Sequence, residues 1–287
     1  MRLSSPAKVN LGLRLLRKRK NGYHDIETFF HTLAWGDELL IEPAGQTALT
    51  VVSAPDAAFP ALLQEVPQDS SNLVWKAAEL LRERFDLPGV SVTLIKRIPP
   101  GTGLGGGSSN AAAMLRGMVD LFEVNISDQE IQNIAVELGA DVPFLLSGGC
   151  ALAEGIGETL TPIAPLSDVP VILLLHPFMI STPWAYGSAG LSEEKRASYR
   201  DYLAEKGHIA EILSSIDLRN DLEEPVVKVY PDITGSLSAL RDSGAFFVSM
   251  TGSGSAVFGL YDTDDDAEKA VRKLVDGGFS IIETVLR

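Results

Sequence analysis

Residues Pro99 to Leu115 read PPGTGLGGGSSNAAAML, with glycine at 101, 103, 105, 106 and 107, then two serines and a segment of helical character. A backbone this bare lets successive N–H groups converge on one point, and a helix starting beside it adds the positive end of its dipole. The chemistry this offers is the binding of a polyphosphate. Two familiar phosphate motifs compete for the same letters. Gly101, Gly103 and Gly106 satisfy G-x-G-x-x-G, but a dinucleotide site also wants an acidic strand end ~20 residues on. The sequence there, FEVNISDQEI, reads as a loop and a helix cap. A Walker A loop needs lysine where Gly107 and Ser108 stand. What remains is a lysine-free phosphate cradle leading into a helix that begins near Ser108. Its competitor is a turn that merely packs close, which seldom needs more than one or two glycines.

Lys8 and Asn10 form a second candidate pair. AKVNLGLRL alternates polar and apolar residues, so a strand here puts Lys8 and Asn10 on one face and Val9, Leu11 and Leu13 on the other. The sole cysteine, Cys150, lies in SGGCALAE, where a buried free thiol is expected rather than a nucleophile. Asp141 follows a helix end and precedes Val142-Pro143, the place of an ordinary capping aspartate.

The elements that must carry these residues alternate between short strands and amphipathic helices. The tract RKRKNGYH contains the hairpin dipeptide Asn21-Gly22, and DIETFFHTL reads as the return strand. DELLIEP and ALTVVS read as two further strands, and SNLVWKAAELLRERF as a helix with apolar residues at 73, 77, 80 and 81. GVSVTLIKRI alternates and delivers the chain to the glycines, after which Leu115, Met118, Val119 and Phe122 make a helical stripe. Ser127, Asp128 and Glu130 announce a helix that ends at Gly139. Beyond Gly148 come the buried strand VILLLH, polar helical segments, FFVSMTGSGSAVFGLYD, and a last strand SIIETVLR that fits either half. The expected architecture is α/β (α+β) in two domains, 1–150 and 151–287, with strand 279–287 free to return to the first.

Composition excludes several classes. With 24 basic against 38 acidic residues and a net charge of −14, bulk attraction to nucleic acid or an anionic membrane is not expected. The longest purely apolar run, VPVILLL, is far below membrane-spanning length. A cytoplasmic protein, monomeric or weakly dimeric, is the expectation.

PPGTGLGGGSSNAA resembles the ATP signature of the GHMP kinase superfamily, small-molecule kinases unrelated in fold to protein kinases. The N-terminal SPAKVNLGL and the second glycine-rich stretch, TGSGSAVFG, resemble its other motifs. The set PAKVNL, NGYHDIET, GLGGGSSNAA, LGADVPFLLSGGCALAEGIGE and TGSGSAVF spans the chain in order. It is similar to the branch of that superfamily acting on CDP-methylerythritol. That resemblance implies two α/β domains with the active site in the cleft between them. It also implies transfer of the ATP γ-phosphoryl group to the acceptor's 2-hydroxyl, in the non-mevalonate route to isoprenoids. Asp141 would be the catalytic aspartate and Lys8 the catalytic lysine. ATP would lie against Pro99, Pro100, Gly101, Thr102, Gly103, Leu104, Gly105, Gly106, Gly107, Ser108, Ser109 and Asn110, with Asn72 at the adenine. Mg²⁺ would be held by Ser108 or Ser109, or otherwise through the ATP phosphates.

For the acceptor the resemblance implies Asn10, Thr182, Thr251 and Gly252, with Tyr23 stacking on cytosine and His24 reading its edge. A second ring closes the stack: Tyr186 by its spacing after STP, with Trp184 as the alternative. The run Arg17 to Lys20 falls outside the family pattern and reads as a solvated hairpin tip rather than a diphosphate clamp. A GHMP kinase for homoserine, mevalonate or a sugar has no reason to keep GYH beside PAKVN. A regulatory descendant would have lost Lys8 or Asp141, and both are present.

Overall fold

The computed structural model describes residues 1–191 and 197–287. The chain forms two compact units. The first is built from residues 1–7, 35–100 and 105–148, and the second from 8–34, 101–104 and 149–287. This division differs from a single cut near residue 150, because the N-terminal hairpin 8–34 and the short piece 101–104 count with the second unit.

Two long strands pass through both units, β1 (Arg2–Lys18) and β2 (His24–Ala44). The segment DELLIEP, expected as a separate strand, is the far end of β2. The reason lies at Gly36, which packs so close to β1 that a Cβ there would stand 2.2 Å from the Ser5 carbonyl oxygen. Glycine lets β2 run on past that contact without a turn.

In the first unit the end of β2 pairs antiparallel with β4 (Gly89–Lys96), which pairs parallel with β3 (Ala48–Ser53). Leu39, Ile41, Val90, Val92 and Leu94 are buried there. The helices are α1 (Pro60–Leu63), α2 (Leu73–Phe85), α3 (Gly106–Leu121), α4 (Asp128–Leu138) and α5 (Val142–Ser147). The Ser127 cap is real, its hydroxyl accepting the Glu130 N–H at 3.2 Å. Helix α3 is buried more widely than an amphipathic stripe requires, with Ala111 to Leu115 and Met118 at most 1% exposed. Small residues make this fit: a Cβ on Gly117 would stand 2.3 Å from Leu3 Cδ1.

In the second unit the start of β2 pairs with β5 (Cys150–Glu154), which pairs with β6 (Thr159–Ile163). A separate antiparallel sheet has the order β10-β7-β9-β8, from β7 (Pro170–Leu175), β8 (Phe247–Met250), β9 (Val257–Leu260) and β10 (Ser280–Val285). Strand β7 is central and buried at every position, which explains its unbroken apolar run. The last strand, β10, pairs with β7, and just beyond it Leu286 bridges Leu33. Helices α6 (Thr182–Ser188), α7 (Tyr199–Lys206), α8 (Ile209–Ser215), α9 (Glu223–Val229), α10 (Pro231–Asp242) and α11 (Asp264–Asp276) complete the unit. Among the described residues no helix is long and apolar enough to cross a membrane.

Candidate active site

The glycine loop divides into two stretches with different reasons for being bare. Residues 101–104 are stitched into the second unit: the Gly101 carbonyl accepts the Ile180 and Ser255 N–H groups, the Thr102 carbonyl accepts Ala256 N–H, and Leu104 accepts Lys8 N–H. A Cβ on Gly103, whose φ is +75°, would stand 2.0 Å from the Thr251 carbonyl oxygen. Close packing therefore accounts for this glycine. Residues 105–110 belong to the first unit, and there Gly107 is exposed with nothing nearer its Cβ position than Leu73 Cδ1 at 3.7 Å. Packing does not demand a glycine at that point. Helix α3 starts at Gly106, two residues earlier than its sequence suggests, because Gly105 takes a left-handed φ of +71° as its cap. Its first N–H groups have no intrahelical acceptor, and the 16-residue helix aims its positive end past an open glycine face.

Three of the expected ATP residues are buried supports. Ser109 is fully buried and its hydroxyl accepts that of Ser5 at 2.9 Å, so of the two serines proposed for the metal only Ser108 remains half-exposed. Asn110 gives its amide to Ser5 Oγ (2.8 Å) and Asp37 Oδ2 (2.9 Å) and accepts Lys96 Nζ at 3.1 Å. Asn72 caps α2, accepting Val74 N–H at 2.9 Å while donating to the Pro67 carbonyl. Sequence reasoning missed Asp37, the centre of this group. Its carboxylate accepts the Arg97 and Ile98 N–H groups at 2.6 and 2.9 Å, pairs with Lys96, and holds Asn110 on α3. One buried side chain thus fastens both stems of the glycine loop.

Asp141 occupies the cap position of α5 but its side chain makes no capping hydrogen bond. Helix capping therefore does not account for this aspartate. It is half-buried ahead of Val142 to Leu146, all buried.

In the second unit Lys8 and Asn10 meet as their alternation requires, Lys8 Nζ donating to Asn10 Oδ1 at 2.7 Å. Both are nearly inaccessible, at 3% and 1%. The ammonium also lies 4.9 Å over the Phe30 ring. Asn10 Nδ2 donates to Thr28 Oγ1 at 2.9 Å, and the Asn10 N–H reaches Thr251 Oγ1 at 3.2 Å. This saturation makes Asn10 a holder of Lys8. Thr182 Oγ1 lies 3.0 Å from Ser253 Oγ, beside the second glycine turn.

His24 is 5% exposed, and its Nδ1 has no partner among the described residues. Burial, and then the charge of Lys18, hold its pKa below the ordinary histidine range. Its ring centre lies 5.6 Å from that of Tyr186, tilted by 36°. Trp184 instead meets Tyr230 edge-on at 5.7 Å, which favours Tyr186 as the ring beside His24. Tyr23 is 58% exposed at the hairpin tip. Arg17 and Arg19 both pair with Asp25, at 2.6 and 2.5 Å, consistent with a tip that holds itself together. Cys150 is buried and its thiol is pushed up to about 12, which leaves it protonated and unreactive.

The expected acceptor residues Asn10, Tyr23, His24, Thr182, Tyr186, Thr251 and Gly252 fall together with Lys8 in the second unit. Asn72, Gly105 to Asn110 and Asp141 fall in the first.

Comparison with known proteins identifies the family. The model for the GHMP kinases N terminal domain matches residues 72–149, and that for the GHMP kinases C terminal matches 201–278. A 4-diphosphocytidyl-2-C-methyl-D-erythritol kinase from Prosthecochloris aestuarii is 40% identical over 276 residues, covering 93% of this chain and 91% of that protein. A crystal structure of 4-(cytidine 5'-diphospho)-2C-methyl-D-erythritol kinase matches at 31% identity and a TM-score of 0.80, covering 100% of this chain and 99% of the other. A homoserine kinase from Cytophaga hutchinsonii matches at 17% identity and a TM-score of 0.68, covering 99% and 95%, a likeness of fold alone. By these matches the chain belongs to the 4-diphosphocytidyl-2-C-methyl-D-erythritol kinase family of the GHMP kinases.

Proposed function

We propose that the chain transfers the γ-phosphoryl group of ATP to the 2-hydroxyl of CDP-methylerythritol, giving the 2-phosphate and ADP. The observation that carries the choice of acceptor is His24, a buried imidazole with an unpartnered Nδ1 beside the Tyr186 ring. An unspent buried polar atom next to an aromatic face fits a base that stacks and is read along its edge. With its proton on Nδ1, the ring donates to cytosine N3, where uracil presents an N–H instead.

The roles of the remaining groups follow from the reaction. Phosphoryl transfer passes through a loose transition state, so positioning and charge neutralisation carry most of the catalysis. The acceptor oxygen bonds to the γ-phosphorus as the bond to the β–γ bridging oxygen breaks, and the hydroxyl proton passes to the Asp141 carboxylate. Lys8, held by Asn10, meets the charge on the transferring group. The open start of α3, from Gly106 to Ser108, cradles the ATP phosphates. No group of three or more His, Cys, Asp or Glu suited to a metal exists among the described residues, which fits Mg²⁺, a hard ion that keeps its waters and binds through substrate phosphates. When bound with the nucleotide it neutralises phosphate charge, with Ser108 as the available hydroxyl. In this reading the enzyme works in the cytoplasm as a monomer or weak homodimer.

The test is ADP release from ATP and Mg²⁺ with CDP-linked methylerythritol, its UDP-linked counterpart, homoserine and mevalonate. The CDP-linked acceptor should be preferred over the UDP-linked one by roughly 5- to 150-fold in kcat/KM, since one wrong edge leaves polar groups unpaired at about 1 to 3 kcal/mol. Equal values for the two nucleotides would remove His24 from the reading role, and turnover of homoserine alone would overturn the acceptor.

A further inference from the structure

Asn220 lies between α8 and α9, 4% exposed, and no motif draws attention to it. Its side-chain amide spends both hydrogens on one feature. Nδ2 donates to the carbonyl of Met250 at 2.7 Å and to that of Gly252 at 2.8 Å, while Oδ1 accepts Leu222 N–H at 3.0 Å. The residue between the two fastened carbonyls is Thr251. Gly252 follows with a φ of +53°, so the turn has little side-chain bulk of its own to fix its shape.

Thr251 Oγ1 is the meeting point of three elements. It accepts the Asn10 N–H at 3.2 Å and lies 3.3 Å from Asn10 Oδ1 and 3.2 Å from the Gly103 carbonyl. Asn10 Oδ1 in turn accepts the Lys8 ammonium. The backbone beside Asn220 is tied to the same strand: Leu13 N–H donates to the Arg219 carbonyl at 2.9 Å, and Asp221 N–H donates to the Leu13 carbonyl at 2.8 Å. A line of bonds therefore runs from Asn220 through the Met250 to Gly252 turn to Thr251, Asn10 and Lys8.

We infer that Asn220 is a positioning residue for the phosphoryl transfer, setting Lys8 through Thr251 and Asn10 without touching substrate. The inference rests on the kinase reading for its kinetic consequence, but the line of bonds is a property of the fold itself. A misplacement of about 1 Å at reacting groups can cost on the order of 10²-fold in rate. Asn220→Asp is the sharpest probe, because it keeps the shape and replaces two donors with an oxygen facing two carbonyls.

The experiment compares wild type, Asn220→Asp, Thr251→Val and the double variant, with Asp221→Asn as a control. Asp221 fastens the same segment to β1 through Leu15 N–H at 2.9 Å but is not bonded to the Met250 or Gly252 carbonyls. Asn220→Asp should lower kcat by roughly 10- to 100-fold, and the double variant should fall no further than the worse single one, because both changes act on one line. Asp221→Asn should keep kcat close to wild type at a comparable shift in melting temperature. Additive losses in the double variant, or kcat unchanged in Asn220→Asp, would overturn the inference.

A second readout stands apart from activity. Exchange of the Asn10 amide proton, followed by NMR, should quicken in Asn220→Asp and not in Asp221→Asn. Unchanged Asn10 protection would overturn the inference even in a fully active enzyme. Faster Asn10 exchange in a protein that phosphorylates no alcohol would support the line of bonds while refuting the kinase reading. If Asn220→Asp fails to fold, Asn220→Gln keeps the amide on a longer arm and should shift Asn10 exchange in the same direction.

Discussion

Each unit holds a bare glycine backbone in one shape by fastening it to a single buried polar side chain, and the two side chains differ in kind. In the first unit Asp37 takes the N–H groups of Arg97 and Ile98 ahead of the loop. In the second, Asn220 gives its N–H groups to the carbonyls of Met250 and Gly252. The backbone atoms left over decide the chemistry. Where N–H groups are unspent an acceptor is needed, and a carboxylate offers about four lone-pair sites. Once buried it must also be neutralised, which brings in Lys96 at 4% side-chain exposure. Where carbonyls are unspent an amide supplies two donors with no charge and needs no counterion. The first clamp is thus an obligate pair and the second stands alone.

Removing the chemistry itself sets the upper end of the scale against which either clamp is measured. Asp141→Asn preserves size and removes the carboxylate proposed as the base, so kcat should fall ~10²- to 10⁴-fold with ATP binding retained. Turnover near wild type would reassign Asp141, and lost ATP binding would place its effect on the fold of α5 instead.

The obligate character of the first clamp is broken most directly by Asp37→Asn. The Lys96 ammonium then stays buried without its partner, at about 3 to 5 kcal/mol of stability, read by denaturant titration. Adding Lys96→Met should recover much of that loss, because replacing both members of a buried pair with groups of similar volume is often neutral. Asn220→Ala, which strands two carbonyls and the Leu222 N–H but no charge, should cost only about 1 to 3 kcal/mol. If the two variants lose equal stability, the distinction between a paired and an unpaired clamp fails.

These clamps were the least legible part of the sequence. The glycines, the Lys8 and Asn10 alternation and the Ser127 cap are local patterns, and local sequence encodes them. Asp37 sits in GDELL, which reads as ordinary strand, and its partners Lys96 and Asn110 are 59 and 73 residues away. Asn220 reaches 30 and 32 residues to its carbonyls. Nothing in a periodicity of 2 or 3.6 records such a meeting. The same limit applies to the loop: the sequence does not record that Gly103 meets the Thr251 carbonyl or that Gly106 meets Ile98, while Gly107 stands open. The continuity of β2 was missed for a similar reason, since the contact between Gly36 and Ser5 joins residues far apart in sequence.

Under the proposed function the two units differ in ligand, and that difference can be tested at the candidate aromatic rings. Tyr23→Ala or Tyr186→Ala should cost on the order of 1 to 3 kcal/mol of acceptor binding, the weight of one base-aromatic stack. The acceptor KM should then rise roughly 5- to 150-fold with the ATP KM unmoved. Tyr→Phe keeps the aromatic face and should be tolerated at either position. Parallel changes in both KM values for Tyr186→Ala would mean that the ring only packs against the second unit's core, and an unchanged acceptor KM would move the choice to Trp184.

The smallest expected effect is a pH dependence confined to the second unit, which holds all the histidines. Burial lowers the pKa of His24, His31 and His176. A base whose folded pKa is depressed binds fewer protons folded than unfolded, so its stabilising contribution is full above the unfolded value of 6.5 and is lost as pH falls toward the lowered folded one. His31 shows how. Its Nε2 accepts Leu166 N–H at 2.9 Å, which puts the proton on Nδ1, where it is donated to the Thr32 carbonyl at 2.9 Å. Protonation at Nε2 destroys the first bond and leaves a charge in a fully buried site. His176 is less exposed to this, since its Nε2 faces the Ser236 hydroxyl at 3.0 Å, and a hydroxyl can turn to accept. Melting temperature should therefore fall between pH 7 and pH 5, and His31→Gln, which keeps one donor and one acceptor without titrating, should flatten that fall. A slope identical to wild type would assign the acid sensitivity to His24 and His176 and leave the neutral clamp at Asn220, which does not titrate, as the part of the second unit that holds its shape through the whole range.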